Sequence, residues 1–404
     1  MLPKYSKLTI KIFVVVTMIL FACTPSQTVT PTVHPVTVTP SPYATFTPVP
    51  TVTSTVTPPP LNPHLRIVQM SYKSIFIIDL KGNIEEIPLP NDLEYVDDGI
   101  EQQHLMWSPD NELMVFSPGY QQGNHLYLFN WKSKAVELIG NSSAANPFWS
   151  PDGKSLTFVR GVGEYYVLSI YDRSTKKVDE IARFHERIRY LSWSPDGDWI
   201  AFLMDGEGQG NLGDQCFDPV NDCGVTSLYI IHPDGSQLTK LHDATWRTVV
   251  YRSYKFPSWS YDGYWVAITE IKNSEKSIVL INPETGEQIR VSLPSNLDIH
   301  SYPIWSPKDN IFLFEGGEGE HSGIYKFDLE SRQIIKLTSS EISAFSPSFS
   351  PDGEWIGLIV DREGPSNTLY IMRPDGSSVI KIADGKWQPM NSHSWFRATE
   401  MSNP

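Results

Sequence analysis

Chemistry in this sequence has to be assembled from scattered side chains. No Gly-x-Ser-x-Gly elbow, His-Glu-x-x-His pair or phosphate-binding loop occurs. Five histidines, His104, His185, His242, His300 and His393, lie in connecting stretches. Neutral imidazoles could hold a metal or take up a proton. Four acids, Asp205, Glu270, Glu315 and Asp361, each follow a short apolar run. Gathered at one mouth they could bind a cation; solvated strand ends are the plainer reading. Cys216 and Cys223 are seven residues apart in a glycine-rich stretch. In an exported protein they read as a disulfide closing a small loop, with a metal site as the weaker alternative. Trp246, Arg247, Tyr251, Arg252 and Tyr254, followed by Lys255, form a basic, aromatic cluster in an otherwise acidic chain. Aromatic and arginine side chains of this kind dominate binding hot spots. The alternative is a loop packed on its neighbour, its arginines paired with the acidic run Asp92, Glu94, Asp97, Asp98 and Glu101.

The elements that must position these residues come from an internal repeat. Six segments share one pattern: Trp107-Ser-Pro-Asp-Asn111, Trp149-Ser-Pro-Asp-Gly153, Trp193-Ser-Pro-Asp-Gly197, Trp259-Ser-Tyr-Asp-Gly263, Trp305-Ser-Pro-Lys-Asp309 and Phe349-Ser-Pro-Asp-Gly353. Their aromatic anchors step by 42, 44, 66, 46 and 44 residues, and a degenerate anchor, Trp395, follows 46 later. Pro fixes φ, Asp bonds the nearby backbone and Gly accepts positive φ, so each segment makes a tight turn. An apolar run follows, then a loop, another strand such as Leu228–Ile231, a second turn such as Pro233-Asp-Gly235, and a fourth strand. Four short antiparallel strands in about 42 to 46 residues is the period of a β-propeller blade. The fold expected is all-β, a β-propeller over residues 64–404. The Trp, Pro, Asp and Gly residues of the motif are read as inter-blade core and turn formers.

Residues 65–90 hold three strands of a unit that lacks its first, and residues 392–397 hold a first strand that lacks its successors. Pairing them closes a seven-bladed ring through a split blade; six blades with extra terminal strands is the alternative. These motifs resemble the TolB-like, WD40-like PD40 propeller repeat. That resemblance implies a binding module that docks envelope proteins or peptide segments on one face. Propellers of this type often precede a serine peptidase domain. Only residues 398–404 follow the last expected strand, so no hydrolase domain is expected. The five histidines stand 3, 8, 17, 5 and 2 residues before their anchors. That irregularity argues against one inherited ring of metal ligands, such as some TolB-like lyases build.

The first 63 residues read differently. Lys4, Lys7 and Lys11 precede an apolar run from Ile12 to Ala22. A bilayer-spanning helix wants about 20 residues, so residues 1–22 read as a signal peptide. The end, Leu20-Phe21-Ala22-Cys23, resembles a bacterial lipobox, although Phe21 departs from its usual small or β-branched residue. The resemblance makes Cys23 the lipidated N-terminus. An ordinary secretory signal or an uncleaved anchor is the alternative. Residues 24–63 contain 12 Thr, 11 Pro and no Lys, Arg, Asp or Glu. Such a stretch buries no core and favours extended backbone. It reads as a stalk that could reach on the order of 120 Å at about 3.1 Å per residue.

The chain has 404 residues, a net charge of −14, 32 Pro and 26 Gly. That much Pro and Gly excludes a helical bundle, and three cysteines exclude a disulfide-dense scaffold. The acidic balance excludes broad nucleic-acid binding, which needs a basic footprint. The expectation is a lipid-anchored propeller outside the cytoplasm of a bacterium, with an envelope protein, peptide or glycan as ligand. No nucleic acid, cofactor, catalytic residue or metal ligand is assigned. The alternative is a propeller enzyme, lyase- or hydrolase-like, with a His and carboxylate site at the channel mouth.

Overall fold

The computed structural model describes residues 61–70, 74–88, 105–116, 125–139, 144–206, 225–245, 257–272, 275–317, 321–361, 367–385 and 394–397. Among these residues all regular structure is β, with every strand pair antiparallel and seven separate sheets. Blade 1 is ordered Ser394–Arg397, Leu65–Met70, Ser74–Asp79, Ile84–Pro88. Its register, Leu65 to Arg397 through Val68 to Ser394, joins the last described strand to the first. This is the split closing blade expected from the sequence, so both termini of the propeller lie in one sheet and the ring has no free first strand.

The other blades run in simple sequence order. Blade 2 contains Leu105–Trp107, Leu113–Phe116, Leu126–Asn130 and Val136–Ile139. Blade 3 contains Ala144–Trp149, Ser155–Val162, Tyr165–Asp172 and Lys177–Phe184. Blade 4 contains Ile188–Trp193, Ile200–Asp205, Val225–Ile231 and Thr239–Thr245. Blade 5 contains Ser258–Trp259, Val266–Lys272, Glu275–Ile281 and Gln288–Val291. In blade 6 the first strand is broken into Asp298–Ile299 and Ile304–Trp305, both paired with Ile311–Gly317. Pro303 within the break has no N–H to give to a ladder. Ser322–Asp328 and Gln333–Lys336 complete that sheet. Blade 7 contains Ser343–Phe349, Ile356–Asp361, Asn367–Met372 and Ile380–Gly385.

The repeated turn works as its residue types require. Ser150 Oγ donates to Asp152 at 2.7 Å, Gly153 N–H donates to Ser150 O at 2.9 Å, and Ser155 N–H returns to Ser150 Oγ at 2.9 Å. Gly153 has φ +69°, and Asn111 fills the same position in blade 2 at φ 60°. Asn tolerates the left-handed region better than most side chains, so that departure from the pattern keeps the turn. Beyond the turns, seven buried apolar clusters occupy the seven seams between blades. The anchors Trp107, Trp149, Trp193, Trp259 and Trp305 are buried in them. Trp193 Nε1 donates across a seam to Thr157 Oγ1 at 2.9 Å, and Trp149 Nε1 reaches Met106 O at 3.2 Å. The closing seam has its own cluster: Leu65, Ile67, Ile78 and Leu80 pack on Trp355, Ile359, Leu369, Ile371 and Ile382.

Candidate functional site

First strands of blades 1 to 6 adjoin in order, and blade 7 joins blade 6 to blade 1, so they ring a common axis. In blades 2 to 7 the first strand is followed by its Ser-Asp turn, which fixes two faces. One face carries the short turns after the first and third strands. The other receives the connections between second and third strands and between blades. Long insertions fall on this second face, where they disturb no ladder.

The sequence candidates Cys216, Cys223, Trp246, Arg247, Tyr251, Arg252 and Tyr254 fall in connections between strands in the sequence. They lie outside the described residues, as do Cys23, His104, His393 and the acidic run 92–101. The described strand ends nonetheless place the roots of two of these loops. Asp205 is opposite Thr226, and Val225 is opposite Thr245. The cysteine-bearing loop and the basic, aromatic loop therefore leave blade 4 from hydrogen-bonded neighbouring strands.

Asp205, Glu270, Glu315 and Asp361 do not converge on one mouth. Asp205 Oδ2 is 2.5 Å from Arg189 Nη2 on the first strand of its own blade. Glu270 is buried, with Oε2 2.5 Å from Arg290 Nη2 and Oε1 3.5 Å from His242 Nε2. Glu315 is buried on the opposite side of its strand and accepts Ser346 N–H of blade 7 at 2.5 Å. Asp361 is exposed. Strand parity separates Glu270 from the other three. These acids stand 12, 11, 10 and 12 residues after their anchors. An odd offset turns a side chain to the preceding blade and an even one to the following blade.

The histidines are likewise dispersed. His185 is exposed and its ring lies 4.4 Å from Tyr165. His300 Nδ1 is 2.8 Å from Ser322 Oγ, and its Nε2 is 3.6 Å from Asp298. Burial holds the His242 pKa below the ordinary value, against the pull of Glu270. Burial also lowers His300, against the pull of Asp298. Both shifts favour the neutral imidazole. Among the described residues no three His, Cys, Asp or Glu side chains are grouped to hold a metal.

One feature at the axis has no counterpart in the motif reading. Asn146, Tyr190 and Ser346 have φ of 55°, 60° and 51°. Each sits three residues before its anchor, where the first strand slips against the second. Such bulges bend a strand and re-aim its side chains. At Tyr190 the bulge follows Arg189. Burial disfavours the Arg189 charge, but Asp205 and Tyr190 outweigh it and the guanidinium pKa rises. Tyr302 of blade 6 packs in one cluster with Tyr190. Burial pushes its phenol pKa well above the ordinary value, with Tyr190 adding to the rise. The three bulged residues share no side-chain type, so nothing in the sequence pointed to them.

Residues 226–395 match the family model described as TolB beta propeller domain. An uncharacterized protein of Agrobacterium fabrum is 28% identical over 230 residues, covering 56% of this chain and 70% of its own. A TolB homolog of Chlorobium chlorochromatii is 25% identical over 236 residues, covering 57% of this chain and 48% of its own length. A solved structure of oligogalacturonate lyase in complex with manganese overlays with TM-score 0.52 and 15% identity, covering 74% of this chain and 82% of that one. At that identity the overlay shows the propeller fold alone.

Proposed function

We propose that this seven-bladed propeller, TolB-like over residues 226–395, is a non-catalytic binding module of the bacterial cell envelope. Its ligand, an envelope protein, peptide or glycan, is taken at the loop face of blades 4 and 5. The observation that carries the reading is the register of blade 4, which roots loops 206–224 and 246–256 on neighbouring strands. In this reading Trp246, Arg247, Tyr251, Arg252 and Tyr254 supply the contacts to the ligand. Large aromatic and arginine side chains supply most of the affinity in such a patch. The described carboxylates and histidines favour binding over catalysis, because Glu270, Glu315, His242 and His300 have partners within their own seams or blades. In this reading Cys23 carries the lipid, residues 24–63 hold the propeller off the membrane, and Cys216 and Cys223 brace the inserted loop. Two acyl chains are enough for stable attachment without a spanning helix.

The test compares capture of envelope components by wild type, Trp246→Ala and Arg252→Ala. Each substitution is expected to weaken capture at least tenfold without moving the melting temperature. Equal capture by all three defeats the assignment of this loop. Stoichiometric metal in the purified protein, lost in His300→Ala, would replace binding by catalysis. Acyl labelling that persists in Cys23→Ser would refute the anchor.

A further inference from the structure

We infer that the opposite, short-turn face of blades 4 and 5 is a docking surface for an arginine- or lysine-bearing segment of a partner protein. Three exposed residues mark it: Leu238, Tyr261 and Tyr264, at 46%, 44% and 49% relative exposure. Tyr261 stands where blades 2, 3, 4 and 7 have Pro109, Pro151, Pro195 and Pro351. A second aromatic surface lies beside it, the half-buried Trp199 with the His232 ring stacked 3.8 Å away.

These turns form one surface. His232 Nδ1 is 2.7 Å from Asp198 O, which ties the two turns of blade 4 together. Asn282 Nδ2 donates to Tyr264 O at 3.1 Å, which does the same in blade 5. Between the blades, Gly263 lies against Pro195, close enough that an added methyl would meet the ring at 3.7 Å.

Charge selects the occupant. The four turns, residues 194–199, 232–238, 260–265 and 282–287, contain Asp196, Asp198, Asp234, Asp262, Glu284 and Glu287 and no Lys or Arg. All six carboxylates are exposed, and among the described residues none pairs with a lysine or arginine. Elsewhere on this face lysines and arginines stand among the acids. Arg173 joins Asp110 and Glu112, Lys154 pairs with Asp152 at 3.0 Å, and Lys308 and Arg373 join Glu354.

Blade 7 shows what fits such a corner. There the Arg373 guanidinium lies 4.0 Å over the Trp355 ring and 3.0 Å from Glu354. Blade 4 places Trp199, Asp198 and His232 at the matching positions, where the His232 ring stacks on Trp199 in place of the guanidinium and, among the described residues, leaves Asp198 without a cation. A cation over an aromatic face beside a carboxylate gains from both. A basic segment laid across blades 4 and 5 would find both in the exposed Tyr261 and Tyr264 rings and the carboxylates Asp198 and Asp262. This surface is independent of the loop-face reading and stands or falls without it.

The probe is a fluorescein-labelled peptide of three Arg-Gly-Gly repeats, titrated with the full chain at 0.15 M salt and read by anisotropy. Tyr261→Pro, which restores the residue of the other blades, combined with Tyr264→Ser, should weaken binding at least fivefold. Asp198→Asn combined with Glu284→Gln should do the same. Asp179→Asn combined with Glu164→Gln, which removes as much charge from blade 3, should leave affinity within twofold. Absence of wild-type binding overturns the inference. So does undiminished binding by the tyrosine variant, or an equal loss in the blade 3 control, which would mean diffuse attraction to an acidic protein.

Discussion

Alanine at Gly82 puts a methyl group into the seam that closes the ring. Gly82 has φ +83°, and a Cβ there would stand 2.5 Å from the carbonyl oxygen of Ile382 in blade 7. Gly235 meets the same geometry between blades 3 and 4, at φ +84° and 2.5 Å from Ile181 O. Gly286 offers a control, at φ +72° with nothing within 4 Å. At Gly286 alanine bears only the left-handed backbone penalty, about 1–2 kcal/mol, less the entropy it removes from the unfolded chain, so about 1 kcal/mol net. At Gly82 and Gly235 a backbone strand of the neighbouring blade must also shift, which adds about 1–3 kcal/mol of overpacking. The expected losses are about 1 kcal/mol for Gly286→Ala and about 2–4 kcal/mol for the other two. Equilibrium urea unfolding, with midpoint and slope compared across the three variants, reads these values. The revealing comparison is Gly82→Ala with Gly235→Ala. If Gly82→Ala costs no more than Gly286→Ala while Gly235→Ala costs the full amount, blade 1 is not packed on blade 7 and the split blade does not close the ring.

Two further outcomes follow from buried groups. Thr157→Val takes the acceptor from Trp193 Nε1 and the donor from Phe148 O, and should cost about 1–3 kcal/mol. In a Trp193→Phe background the same change should cost measurably less, and an unchanged cost would mean that the cross-seam bond contributes nothing. Stability should also fall between pH 6.5 and the lower folded pKa of His242. The depressed imidazole makes the unfolded chain bind its proton first, so stability is full above pH 6.5 and declines as pH drops. His300 shifts in the same direction, so His242→Gln should flatten this slope in part, and an unaltered slope would show that His242 does not titrate as described.

The propeller was legible because its information is local and repeated. A turn that needs Ser to bond Asp, and Gly or Asn to take positive φ, leaves the same residues in every blade. Tyr261, Asn111 and Lys308 depart from the motif without erasing the 42 to 46 residue spacing. The split blade was legible for the complementary reason. Residues 65–90 held three strands without a first, and an open ring would expose a sheet edge. The broken first strand of blade 6 was not legible, because Ser301-Tyr302-Pro303 resembles the leading residues of other blades.

The loop face depends on relations that the repeat does not encode. The acids after each second strand looked equivalent when counted by strand end. Counted from the anchors, the offset of Glu270 is odd and those of the other three are even, and that difference sends Glu270 toward blade 4 and Glu315 toward blade 7. The information was in the sequence, and the strand period of two decodes it. The bulges at Asn146, Tyr190 and Ser346 are different, since Asn, Tyr and Ser share no backbone preference strong enough to announce them. The short-turn face of blades 4 and 5 lies between these cases. The turns there keep their form although Tyr261 replaces the proline of the motif, and only comparison across blades shows that the lysine or arginine present in every other blade's turns is missing. Conformity to the repeat explains the scaffold, so recognition should be sought where a blade keeps the turn and changes what the turn displays.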